Sequence, residues 1–217
     1  MAKAKANETV SVEIPQLKME TAVIHVVGDT PLIVHKWSEK AKKEIRDKQM
    51  KKASTKKEAK DPVADFIDTI YWLDGEPEEK TLEGFEKAID AGARFWFPAT
   101  GFKQCAIMGA YRLGADIKTT VAKAAIIIPS EYIEIKGKAV TMREDMVKVG
   151  GISKVADIRY RAQIEEWEAD IPVKYVSSVL SLEQVINLFN LGGFACGVGE
   201  WRNEKNGVFG SFHVAGV

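Results

Sequence analysis

No apolar run in the sequence approaches the roughly eighteen residues that a membrane-spanning helix needs, and the start, MAKAKANETVSVEIPQLKME, lacks the apolar centre of a secretory signal. These absences predict a cytoplasmic protein, of a prokaryotic cell or a phage-infected host, with a flexible leader over residues 1–19 and no membrane partner. Cysteine is scarce. Cys105 and Cys196 lie far apart in apolar settings, so reduced, buried thiols are expected rather than a disulfide frame. The three histidines, His25, His35 and His213, share no ligand spacing with one another or with a cysteine, which predicts strand packing and no metal or cofactor. Excess charge of one sign is also missing, because 31 Lys and Arg balance 31 Asp and Glu.

The neutral total conceals two opposed blocks. Eleven Lys or Arg against four acids occupy 36–60, and ten acids against two lysines occupy 61–90. Local potential steers association more than the sum does, so a polyanionic partner stays open. The basic block reads as a solvated helix capped by Ser38 or as a basic arm on nucleic acid. A second helix opens at Asp61-Pro62, where Val63, Phe66, Ile67 and Ile70 recur at helical spacing. Together, 37–90 read as a helical insertion.

Around that insertion the regular elements follow one order. TAVIHVV (21–27) is a strand stopped by Gly28-Asp29. ARFWFP is a short aromatic strand, and the stretch after it, from Ala99, is a helix packed on a sheet. AAIIIPSEYIEIKG is a strand interrupted by Pro129. From Lys138 to Arg161 the apolar pattern is lost, predicting a protruding hairpin or loop. EEWEADIPVKYVSS alternates as a strand, SLEQVINLFNLGG is a helix with a capping box at Ser181 and Gln184 and a glycine stop, and VFGSFHV is the last strand. The sum is an α+β, ferredoxin-like (RRM-like) βαββαβ core spanning 20–217 as a single domain, with both helices on one face of an antiparallel sheet.

Three stretches carry chemistry. Gly197-Val198-Gly199, Arg202, Lys205, Asn206-Gly207 and Gly210 join glycine-bared amides to two cations, either a cradle for phosphate oxygens or an ordinary hairpin with glycine bulges. Thr100 and Lys103 stand where a strand gives way to a helix, a place that favours anions. Arg143, Lys148, Lys154, Arg159 and Arg161, interleaved with Met142, Met146 and Tyr160, supply phosphate contacts and stacking surfaces, or else solubilise a loop.

Pro98-Ala99-Thr100-Gly101-Phe102-Lys103-Gln104-Cys105 at a helix head, and Gly197, Gly199, Gly207 and Gly210 near the C-terminus, resemble the two motifs of the RAMP superfamily, in particular the backbone subunits of CRISPR effector complexes. The resemblance implies single-stranded RNA bound through its sugar-phosphate backbone by a helical row of identical subunits. Lys103 and the glycine loop would hold phosphate, and 138–161 would act as a thumb wedged between nucleotides. A phage or mobile-element relative that coats or anneals single-stranded DNA is an alternative. Some members cleave RNA with an acid after the first strand, where Asp29 stands; Gly28-Asp29-Thr30-Pro31 also reads as a plain turn. With no paired base or nucleophile motif, the expectation is a binding protein rather than an enzyme. The opposed charge blocks leave a phage assembly protein as a further reading.

Overall fold

The computed structural model describes residues 16–51, 59–149 and 155–216. Most of the expected leader, residues 52–58 of the basic block, and Lys154 lie outside them.

In chain order, β1 (Met19–Gly28) and β2 (Leu32–Val34) precede α1 (Glu39–Gln49), α2 (Pro62–Asp68), β3 (Trp72–Asp74) and α3 (Leu82–Asp90). Next come β4 (Arg94–Pro98), α4 (Ala99–Arg112), α5 (Thr119–Ala125), β5 (Ile126–Ile127) and β6 (Tyr132–Ile135). The hairpin strands β7 (Ala139–Val149) and β8 (Val155–Glu165) lead to β9 (Glu168–Val176), α6 (Leu182–Ala195) and β10 (Phe212–Val214).

The central sheet has the order β10-β1-β9-β5, with every neighbour antiparallel. Counting only core strands, this is fourth, first, third, second, the arrangement that a βαββαβ chain reaches when both crossovers are right-handed. The fold is therefore α+β and ferredoxin-like. Strand alternation sets its two faces. Ile24, Val26, Ala169, Ile171 and Val173 are buried beneath α4 and α6, whereas Val23 is 65% exposed and Asp170, Lys174 and His213 lie open on the far side.

Several glycines act differently from their sequence reading. Gly192 and Gly193 were expected to stop α6, but the helix continues to Ala195. A Cβ on Gly109 of α4 would fall 2.4 Å from the Gly192 Cα, and one on Gly193 would fall 2.0 Å from the Phe212 carbonyl oxygen. Glycine costs a helix interior about 1 kcal/mol against alanine; here it lets two backbones and a strand pack at a distance no side chain permits. The capping box at the other end forms as expected, with Gln184 N–H donating to Ser181 Oγ at 3.2 Å and Ser181 N–H to Gln184 Oε1 at 2.9 Å.

Two further three-stranded sheets, β3-β4-β6 and β2-β8-β7, flank the core. The strand expected across Pro129 is divided: β5 joins the central sheet and β6 pairs with β4. Pro129 has no N–H to donate, so the ladder ends there and the chain changes sheet. Within the insertion, Ser38 caps α1, which buries no residue, and Asp61 caps α2. The acidic half is less peripheral than its charge suggests, because Phe66, Phe85, Trp72 and Phe95 form one ring cluster with centroids 5.0–6.2 Å apart. The helix α5 and strand β3 were not anticipated, and the last strand is shorter than 208–214.

Candidate nucleic-acid interface

The segment expected to protrude is a long hairpin. β7 and β8 pair in continuous register from Ala139↔Glu165 to Val149↔Val155, and β2 adds to the other edge of β8. Its base is embedded through Ala162 and Ile164, while Met146 is 73% exposed farther out.

At the foot of this hairpin the two motifs meet. The head of α4 and the loop 196–211 enclose a cleft of about 190 Å³, floored by Cys105 and Cys196. Gly101, Gln104 and Met108 line it from α4, Gly197, Gly199, Glu200 and Arg202 from the loop, and His35 and Tyr71 from the insertion side. Thr100 is exposed and Lys103 half-exposed in the first turn of α4, but neither lines the cleft. The two cysteines, distant in sequence, are free and buried here, and burial raises the pKa of both thiols.

Most amides of the expected cradle are taken up inside the fold. Gly197 N–H donates to Gly192, Val198 N–H to Gly210, Gly210 N–H to Pro31, Glu200 N–H to Ile33 and Gly207 N–H to Arg202, all on carbonyl oxygens at 2.8–3.1 Å. The glycines allow that stitching. Gly199 and Gly210 have φ of +78° and +66°, and a Cβ would lie 2.4 Å from the Ile33 oxygen in the first case and 1.8 Å from the Val198 oxygen in the second. The loop is thus stitched onto β2 and the turn before it.

The cations divide in a way that charge alone did not reveal. Arg202 donates from Nε and Nη2 to Glu204 at 3.0 and 2.7 Å and from Nη1 to the Gly199 oxygen at 2.9 Å. Glu204 also takes Arg112 at 3.1 Å; burial works against its charged form, but the two arginines outweigh it and hold the carboxyl below its ordinary pKa. Arg161, expected on phosphate, is only 7% exposed and donates to Asp145 and to His35 Nδ1, each at 3.0 Å. Asp145, itself 6% exposed, further accepts from Arg143 Nε at 2.7 Å and Trp201 Nε1 at 3.2 Å. Arg143 stacks 4.6 Å over the Phe209 ring, and Arg159 pairs with Asp157 at 3.0 Å. These arginines brace the hairpin and the glycine loop. Among the described residues, Lys103, Lys148 and Lys205 are the expected site cations that form no ion pair.

His35 is the least expected member of the cleft. Burial first, and the Arg161 charge second, lower its pKa. Because Arg161 donates to Nδ1, the neutral ring carries its proton on Nε2. Tyr71 is raised by burial and by nearby Glu200. In the sequence His35 merely follows a buried LIV triplet, and neither Glu200 nor Trp201 carries a motif, so only the fold assembles them.

No protein-family model matches the chain, and no curated protein does either. Among solved structures it is similar to the crystal structure of Cmr6 from Pyrococcus furiosus, at 8% identity and a TM-score of 0.41, over 92% of this chain and 100% of that one. A likeness at that level does not bear on the chemistry of the cleft.

Asp29 lies elsewhere, exposed at the end of β1, with His213 Nδ1 2.6 Å from its Oδ1. On the same open face His25 Nδ1 stands 2.7 Å from Asp170, which also accepts from Lys136 at 3.1 Å; both partners lower the Asp170 pKa. The outward positions of β1, β5, β9 and β10 hold no Phe, Tyr or Trp, so this face lacks the stacking platform that RRM sheets use for bases. No helix among the described residues is long and apolar enough to cross a membrane.

Proposed function

We propose that the chain binds single-stranded nucleic acid, RNA foremost, along the side of the molecule formed by the hairpin and the head of α4. Subunits line up on the strand in the manner of RAMP-type proteins. One observation carries this reading: the helix head at Thr100–Cys105 and the glycine loop, far apart in sequence, come together at the foot of a long exposed hairpin. Lys103, Lys148 and Lys205 supply phosphate contacts, and Met142 and Met146, both exposed, supply apolar surface for unstacked bases. Arg143, Arg161 and Arg202 serve by holding that surface rigid, not by touching phosphate. The opposed charges of 36–60 and 61–90 suit contact between successive copies. Protein purified without nuclease should carry bound RNA, recognised by its ultraviolet absorbance ratio and its loss on ribonuclease but not deoxyribonuclease treatment. Removal by deoxyribonuclease alone would assign the strand as DNA.

The Asp29–His213 pair favours a second reading. A carboxylate that orients an exposed imidazole can help it take the proton of a ribose 2′-hydroxyl as that oxygen bonds to the adjacent phosphorus and the P–O5′ bond breaks, the 5′-oxygen taking a proton from solvent. Asp29→Ala would then abolish cleavage of a labelled RNA while leaving binding intact; full-length RNA after prolonged incubation with the unmodified protein rules cleavage out.

A further inference from the structure

The cleft at the foot of the hairpin has a chemistry of its own. Its cations are already taken, since Arg202 is held by Glu204 and Arg161 by Asp145, so a phosphate would find no unpaired cation there. Its size points the same way. Pockets for drug-sized ligands run to roughly 300–1,000 Å³; about 190 Å³ suits a single heterocycle rather than a whole nucleotide. Tyr71, Phe97 and Met108 provide apolar walls, with the Tyr71 and Phe97 rings edge-on at 5.9 Å.

The polar groups on the walls are specific in kind. Glu200 is an acceptor, reached among the described residues only by Arg161 at 3.9 Å. His35, its Nδ1 occupied, offers an Nε2–H donor. Gln104 can donate or accept. Among the four RNA bases only guanine presents two adjacent donors on its Watson–Crick edge, N1–H and the 2-amino group, beside an acceptor, O6. A carboxylate next to a neutral imidazole donor complements that edge. It opposes adenine, whose N1 is an acceptor, and it meets uracil at N3–H and O4 but finds there no counterpart of the 2-amino group.

We infer that this cleft takes one unstacked guanine base of the bound strand, Glu200 accepting from N1–H and the 2-amino group and His35 Nε2–H donating to O6. The inference rests on the proposed single-strand binding and adds a base preference to it. It also gives the locked glycine loop a purpose, since a pocket that reads a base edge must hold its groups in fixed positions.

The test is fluorescence anisotropy with cytidine-tract oligonucleotides, whose bases turn an N3 acceptor towards the carboxylate, that carry one central guanine, inosine, adenine or uridine. The guanine version should bind at least about fivefold tighter than the adenine version, in line with a bidentate base contact, and inosine, without the 2-amino group, should fall between them. In Glu200→Gln, and in Met108→Trp, which fills the cleft, the guanine-to-adenine ratio should drop below about twofold. The ratio is read within each variant, so partial loss of folded protein does not mimic the result. Equal binding of all four oligonucleotides with a normal salt dependence overturns the base pocket alone. Failure of every oligonucleotide to bind overturns the proposed function with it. Free guanosine binding as tightly as the strand would make the cleft a nucleoside site and remove the strand from it.

Discussion

At the scale of single residues, the decisive distinction is between cations that are free and cations that are spoken for. The strand period places Arg143, Asp145, Arg159 and Arg161 on one side of the hairpin. That periodicity was legible in the sequence, but which side is covered depends on Trp201 and His35, which come from distant segments. Asp145 is the hub. Removing its carboxylate leaves the buried Arg161 with only the more distant Glu200, at 3.9 Å, so Asp145→Ala should cost about 3–5 kcal/mol, measured by urea unfolding; a loss under about 1 kcal/mol would mean that the network is not needed. His35 sets a pH dependence. Its folded pKa lies below the unfolded value of 6.5, so the unfolded chain binds more protons between those two values. Its contribution therefore weakens stability as pH falls from neutrality through that window and is constant beyond it. His35→Asn keeps an acceptor for Arg161 and should flatten this part of the stability profile; an unchanged profile between pH 7 and 5 contradicts the assignment.

Among elements, the two core helices show where local pattern and tertiary packing part company. Gly192 and Gly193 look like a helix stop because glycine is the common residue after a helix end. No local signal reveals that α4 offers Gly109 opposite Gly192, or that Phe212 backs onto Gly193. Gly192→Leu should destabilise the protein by about 1–3 kcal/mol or more through overpacking, since even its Cβ meets the Cys105 oxygen at 2.6 Å. Thermal unfolding at an unaltered midpoint would show that the helices do not approach as described. Ser38, Asp61 and the Ser181–Gln184 box were readable because capping is decided within three residues. The division of β5 from β6 was half-readable: Pro129 marked the break, but the sheet each half joins depends on β9 and β4, partners remote in sequence.

Across the whole molecule, the order of strands and helices was visible from alternation and helical spacing, and with right-handed crossovers it sufficed to predict the ferredoxin-like sheet. The opposed charge blocks were visible too, but not that aromatic rings anchor the acidic one. Of the candidate site, the two motifs were legible and their meeting was anticipated by resemblance. The internal pairing of Arg143, Arg161 and Arg202, and the closure of the loop amides, were not, because composition counts charges without assigning them partners. The most direct measurement for the binding claim is the affinity for a fluorescent single-stranded RNA across a series of salt concentrations, for the unmodified protein and for Lys103→Glu with Lys148→Glu. The account predicts affinity falling steeply with salt, and a slope of log affinity against log salt reduced by about 0.7 for each lysine lost. Binding that is absent, or that is indifferent to salt and to both lysines, would contradict it.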